Sequence, residues 1–95
     1  MRMEKRKPHY VLAEIRAAVA RLGVAAFTKT ALDGGRMMGL TTREMLAVIA
    51  SLSRRNFYKS MTTHFDHHIW QDVYHAPTLV KKEAYIKVTI AVRYR

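Results

Sequence analysis

The chain has 95 residues, 49% of them apolar, which holds one domain with a modest core and excludes a disordered tail. It contains no Cys, so disulfide staples and thiolate metal sites are out and a reducing compartment fits, and no apolar run approaches the about 18–20 residues of a membrane span. Seventeen Lys and Arg oppose seven Asp and Glu, and the formal net charge of +10 draws polyanions, with nucleic acid first and an anionic membrane surface or an acidic protein as the alternatives.

The basic start, Met1-Arg2-Met3-Glu4-Lys5-Arg6-Lys7, runs into Pro8-His9-Tyr10 and not into an apolar stretch. It reads as an arm leading to a helix and not as a secretory leader, so the expected location is cytoplasmic. From Tyr10 the pattern turns helical: Leu12, Ile15, Val19 and Leu22 align on one face, and Gly23 suits the stop. Val24-Ala25-Ala26-Phe27 is short and apolar and is expected as a short strand. Thr28 or Thr30 then caps a second helix towards Met38, weakened by Gly34-Gly35 and ended by Gly39. Thr41-Thr42-Arg43-Glu44 fits a capping box, and Met45, Val48, Ile49 and Leu52 form the stripe of a third helix closed by Ser51-Leu52-Ser53. Met37, Met38 and Met45 are read as core filling.

After Arg54-Arg55 the period changes to two. Asn56 to Thr63 predicts a strand with Phe57, Lys59 and Met61 on one face and Tyr58, Ser60 and Thr62 on the other. A polar loop at Phe65-Asp66-His67-His68 leads to a second strand, Ile69 to Tyr74, and Pro77 ends the unit. Here the pattern conflicts with itself. Gln71 shares parity with Ile69 and Val73, and Asp72 with Trp70 and Tyr74, so neither side is cleanly apolar, as a bulge would allow. Glu83 to Val92 predicts a third strand, with Ile86, Val88 and Ile90 opposite Tyr85, Lys87 and Thr89. Helices first and antiparallel strands after define an α+β domain over residues 1–95, with the helices on one face of the sheet and a polar, basic face on the other.

That polar face carries the chemistry. Lys59, Gln71, Tyr85 and Lys87 offer positive charge, hydrogen-bond donors and a phenol, which suit an RNA phosphate and a stacked base, although a plain solvated face has the same composition. His64, Asp66, His67, His68 and His75 are metal-ligand types, yet no HExxH helix or Cys pair accompanies them, so no metal or other cofactor is called for. There is no Walker or dinucleotide glycine loop and no GxSxG elbow.

The block Phe57-Tyr58-Lys59-Ser60-Met61-Thr62-Thr63, then Asp66-His67, then Ile69-Trp70-Gln71-Asp72-Val73-Tyr74 resembles the MqsR family of bacterial toxins. So do Met3-Glu4-Lys5-Arg6 with Pro8-His9, and Tyr85-Ile86-Lys87. The resemblance covers nearly the whole chain. It implies a RelE-like fold and an endoribonuclease that cleaves mRNA, held inactive by a cognate antitoxin. It also implies a bearing on stress response, biofilm and motility, with DNA bound only indirectly, through the antitoxin. The family's catalytic lysine, glutamine and tyrosine fall on Lys59, Gln71 and Tyr85. His9, Tyr58, Met61, Lys87, Arg93 and Arg95 are expected to contact RNA. At the family's final strand, which carries a fourth basic residue, this chain departs to Ala91-Val92-Arg93-Tyr94-Arg95. That departure keeps two alternatives open: a non-catalytic basic RNA- or DNA-binding regulator, and a module whose basic face meets only an acidic antitoxin. A metal-dependent nuclease ranks below both.

Overall fold

The computed structural model describes residues 2–89, in the order β1 (Glu4–Lys5), α1 (Leu12–Leu22), α2 (Lys29–Met37), α3 (Thr42–Ala50), β2 (Phe57–Thr62), β3 (Trp70–Pro77) and β4 (Glu83–Val88). The three helices begin and end where their chemistry dictates. Gly23 closes α1 with φ at 59°, a left-handed value that a side chain would resist. The Thr28 hydroxyl accepts from the Ala31 N–H at the start of α2, and Gly39, φ 90°, ends the turn behind it. At α3 both arms of the capping box form: the Thr41 hydroxyl accepts from the Glu44 N–H at 3.1 Å, and the Glu44 carboxylate from the Thr41 N–H at 2.8 Å.

Helix α2 runs straight through Gly34-Gly35, and packing gives the reason for one of the two. A Cβ at Gly35 would collide with the Met45 side chain of α3, whereas one at Gly34 would meet open space. The missing side chain at Gly35 is what lets α2 lie against buried Met45.

Val24 to Phe27 is not a strand. Residues Gly23–Ala26 form a 3₁₀ turn in which the Phe27 N–H donates to the Val24 carbonyl, and they pair with no strand. Four residues joining two helices, two of them Ala, follow helical preference over the β preference of Val and Phe.

The sheet is antiparallel throughout, in the order β1-β2-β3-β4. Its β1 edge is the basic arm, which the sequence marked only as a lead-in; Glu4 pairs with Met61 and Lys5 with Ser60. Strand β3 extends past Tyr74 to Pro77, and β4 is strand from Glu83 to Val88. The expected continuation through Ile90 to Val92 lies outside the described residues, as do Arg93 and Arg95.

Cross-strand partners project to the same side, so the register sorts the faces. Towards the helices point Phe57, Ser60, Thr62, Asp72, Tyr74, Ala76, Ala84, Ile86 and Val88. Tyr74 and Leu52, at 0% and 1% exposure, anchor a core with Ile49 and Ala76, and each large apolar side chain so buried contributes about 1.5–3 kcal/mol. The register slips between Phe57 and Lys59, and this bulge at Tyr58 corrects the expected alternation. Phe57 faces the core beside Tyr74, while Lys59 and Met61, two and four residues on, face the other way with Val73 and Gln71. The extra residue resets the parity of the strand.

The conflict of parity expected in β3 resolves, with no bulge between β3 and β4, at Asp72. It sits on the helix side, fully buried, and its carboxylate accepts from the His9 N–H at 3.0 Å to each oxygen and from the Tyr10 N–H at 2.9 Å. Helix α1 has no side-chain cap at Val11. A strand carboxylate instead receives the N–H groups just ahead of the helix and ties the arm to the sheet. Three helices against one face of a four-stranded antiparallel sheet make an α+β fold, consistent with the RelE-like arrangement expected from the sequence.

Candidate active site

The face turned away from the helices gathers most of the residues singled out in the sequence. In register across it lie a row of Lys59, Val73 and Lys87, a row of Met61 and Gln71 next to Glu4, and a row of His75 and Tyr85. The bulge adds Tyr58 to the last row, where its ring stacks on His75. Lys59 and Tyr85 are two strands and one row apart, about 10 Å across the sheet and about 7 Å along it.

Lys59 is held. Its Nζ donates to Glu4 Oε2 at 2.7 Å, and the lysine side chain is only 22% exposed. The hydrogen bond from Lys59, helped by its charge and by those of Arg6 and Arg2, keeps the Glu4 carboxyl below its usual value. The ammonium also lies 5.4 Å from the centre of the Tyr58 ring, and the Arg6 guanidinium 5.7 Å from the same ring. Tyr85 is exposed, its ring packed on His75 with centroids 3.9 Å apart. Gln71 is half-buried between strands, Lys87 is exposed, and Met61 is nearly buried under its neighbours.

His9 goes elsewhere. Its ring stacks on Trp70, 5.4 Å between centroids, and its Nδ1 accepts from Lys5 Nζ at 2.8 Å. Trp70 and Lys5 pair with Thr62 and Ser60 on the side facing the helices, so His9 does not join Lys59 and Tyr85. The loop histidines do not converge with His75. Asp66 accepts from His68 at its backbone N–H, 2.8 Å, and at the ring, 3.1 Å, which pulls the Asp66 carboxyl down. His75 sits apart in the sheet, and among the described residues no three His, Asp or Glu side chains cluster to hold a metal ion. The sequence grouped His75 by residue type with that loop; its place between two tyrosines depends on strand register, which parity alone does not fix.

Comparison with known proteins decides the family. Residues 7–95 match the family described as motility quorum-sensing regulator, toxin of MqsA. The mRNA interferase toxin MqsR of Escherichia coli (strain K12) is 46% identical over 88 residues, covering 93% of this chain and 88% of that protein. The chain belongs to the MqsR toxin family. It is accordingly the toxin component of a toxin–antitoxin system, with endoribonuclease activity, and its partners are an RNA and an antitoxin. In this MqsR-family toxin the face away from the helices carries Lys59, Gln71, Tyr85 and Lys87 from three adjacent strands, with Glu4 and Glu83 beside them. Among the described residues, no helix is long and apolar enough to cross a membrane.

Proposed function

We propose that the open face of the sheet cleaves mRNA without a metal ion, with Lys59, Gln71 and Tyr85 as the catalytic residues. The observation that carries this reading is the register that sets all three side chains, from β2, β3 and β4, on one face. The RNA supplies its own nucleophile. The 2′-hydroxyl attacks the adjacent phosphorus, a 2′-O–P bond forms, the P–O5′ bond breaks, and the products are a 2′,3′-cyclic phosphate and a free 5′-hydroxyl. One proton leaves the 2′-oxygen and one arrives at the 5′-oxygen.

Lys59 stabilises the charge that grows on the non-bridging oxygens, a contribution of the kind worth about 3–4 kcal/mol. Its ammonium is paired with Glu4 from the neighbouring edge strand β1. Tyr85 exchanges a proton with one of the reacting oxygens, assistance worth roughly 10²–10⁴-fold. Gln71 orients the phosphate or the scissile nucleotide through its amide. Tyr58, Lys87 and the edge of Met61 extend the contact along the strand of RNA. Arg93 and Arg95 add basic charge in the sequence beyond β4, and His9, stacked on Trp70, contacts RNA from the other side of the sheet.

The whole chain acts as one domain in the cytoplasm, and a cognate antitoxin neutralises it; DNA is met only through that complex. The net charge of +10 favours an acidic antitoxin surface. Incubation of antitoxin-free protein with labelled mRNA in EDTA tests the reading. Cleavage that Lys59→Ala and Tyr85→Ala each slow about a hundredfold or more supports it. RNA binding that weakens with salt, with no cleavage by the folded wild type, replaces it with a non-catalytic binder.

A further inference from the structure

His75 has no part in that chemistry, yet it is the middle ring of a three-ring stack on the open face. The imidazole lies between two phenol rings, 4.5 Å from Tyr58 at an interplanar angle of 28° and 3.9 Å from Tyr85 at 18°. The three rings come from three neighbouring strands, with His75 and Tyr85 directly paired across β3 and β4. We infer that His75 is a positioning residue for RNA cleavage: it clamps the Tyr85 phenol to the sheet so that its hydroxyl meets the phosphate at Lys59. This rests on the reading of Tyr85 as a site residue.

Tyr85 is 68% exposed, so little else on the protein restrains its ring. Without a stacking partner, such a side chain spreads over its staggered rotamers, and the hydroxyl loses a fixed position on the face. The imidazole is kept for its plane and not for its nitrogens. Nδ1 is 3.5 Å from Glu83 Oε1, a carboxylate whose side chain is 59% exposed, and Nε2 is buried with no hydrogen-bond partner. The ring's close aromatic contacts lie on its two faces. The far member of the stack closes the device. The Tyr58 ring lies near the Lys59 ammonium, so a continuous run of contacts joins the lysine to the tyrosine across three strands.

The test compares kcat and KM on a labelled RNA for wild type, His75→Ala, His75→Phe, Tyr85→Ala and the double variant of His75→Ala with Tyr85→Ala. His75→Ala should lower kcat roughly three- to tenfold, the factor that an aromatic pair commands, with KM little changed. His75→Phe, which keeps a flat ring and removes the unsatisfied nitrogen, should return kcat to within about twofold of wild type. On the Tyr85→Ala background, His75→Ala should add no further loss. Wild-type rates in His75→Ala, an equal loss in His75→Phe, or additive losses in the double variant would each overturn the inference while leaving Tyr85 in the site. Wild-type cleavage by Tyr85→Ala would overturn the site reading as well. Should His75→Ala fail to fold, the His75→Phe rate and the Tyr85→Ala background still decide: slow cleavage by His75→Phe, or a further loss when it is combined with Tyr85→Ala, rejects the clamp.

Discussion

Asp72 offers the sharpest test of how the basic arm is fastened to the body of the protein. Its carboxylate receives two backbone donors, the N–H of His9 shared between both oxygens and the N–H of Tyr10. A hydrogen bond to a charged group is worth about 1.5–3 kcal/mol, so losing both would cost about 3–6 kcal/mol if the donors stayed buried. They need not, because His9 is exposed and a released arm regains water. The expected cost of Asp72→Ala is therefore about 2–3 kcal/mol, near the lower bound. Asp72→Asn keeps one acceptor oxygen and turns an NH₂ towards the other donor, and should cost about half as much. For a domain of this size each 1 kcal/mol moves Tm by about 4–8 °C, which places Asp72→Ala roughly 10–20 °C below wild type in a thermal melt followed by circular dichroism. Trypsin should cut faster after Lys5 and Arg6 in the variant. A Tm within about 2 °C of wild type, with the arm still protected, would refute the claim that Asp72 holds it.

The Glu4–Lys59 pair predicts a pH dependence. Because the folded protein depresses the Glu4 carboxyl, the pair's stabilising contribution is present above the ordinary carboxylate value of 4.5 and is lost as pH falls through the lower folded value. The Tm difference between wild type and Glu4→Gln should be constant near neutrality and close in that acid window; a difference that persists at the acid end would contradict it. The two adjacent glycines of α2 predict opposite signs. Gly34→Ala gains helix propensity in open space and should stabilise by about 0.5–1 kcal/mol in denaturant unfolding, whereas Gly35→Ala drives a methyl into buried Met45 and should destabilise by about 1–3 kcal/mol. Equal effects at both positions would mean that α2 does not pack on α3 through Gly35.

Much of this architecture was legible because local chemistry and global packing agree. The capping box at Thr41 and Glu44, the stripe of Met45, Ile49 and Leu52, and the alternation of Tyr85 and Lys87 against Ile86 and Val88 each repeat at the period of the element they form. Where the reading failed, the deciding interaction lay far along the chain. Four apolar residues at 24–27 have no measurable period, and their neighbours made them a turn. The bulge at Tyr58 left no mark in the sequence, and the conflict of parity at Gln71 and Asp72 lies in β3, which pairs with β4 in unbroken register. Asp72 is polar on the core side because the arm, more than 60 residues earlier, brings N–H groups to it. Lys59, Gln71 and Tyr85 were found through family resemblance, and their shared face follows from register. His75 was grouped with the loop histidines because nothing in its own segment distinguishes a stacked histidine from a loop histidine.

The account stands most directly on Lys59. Purified, antitoxin-free protein incubated with labelled mRNA in EDTA, beside Lys59→Ala shown by circular dichroism to be folded, should give cleavage by the wild type alone, with cyclic-phosphate and 5′-hydroxyl ends. Equal cleavage by both proteins, or cleavage that requires an added divalent ion, would contradict it.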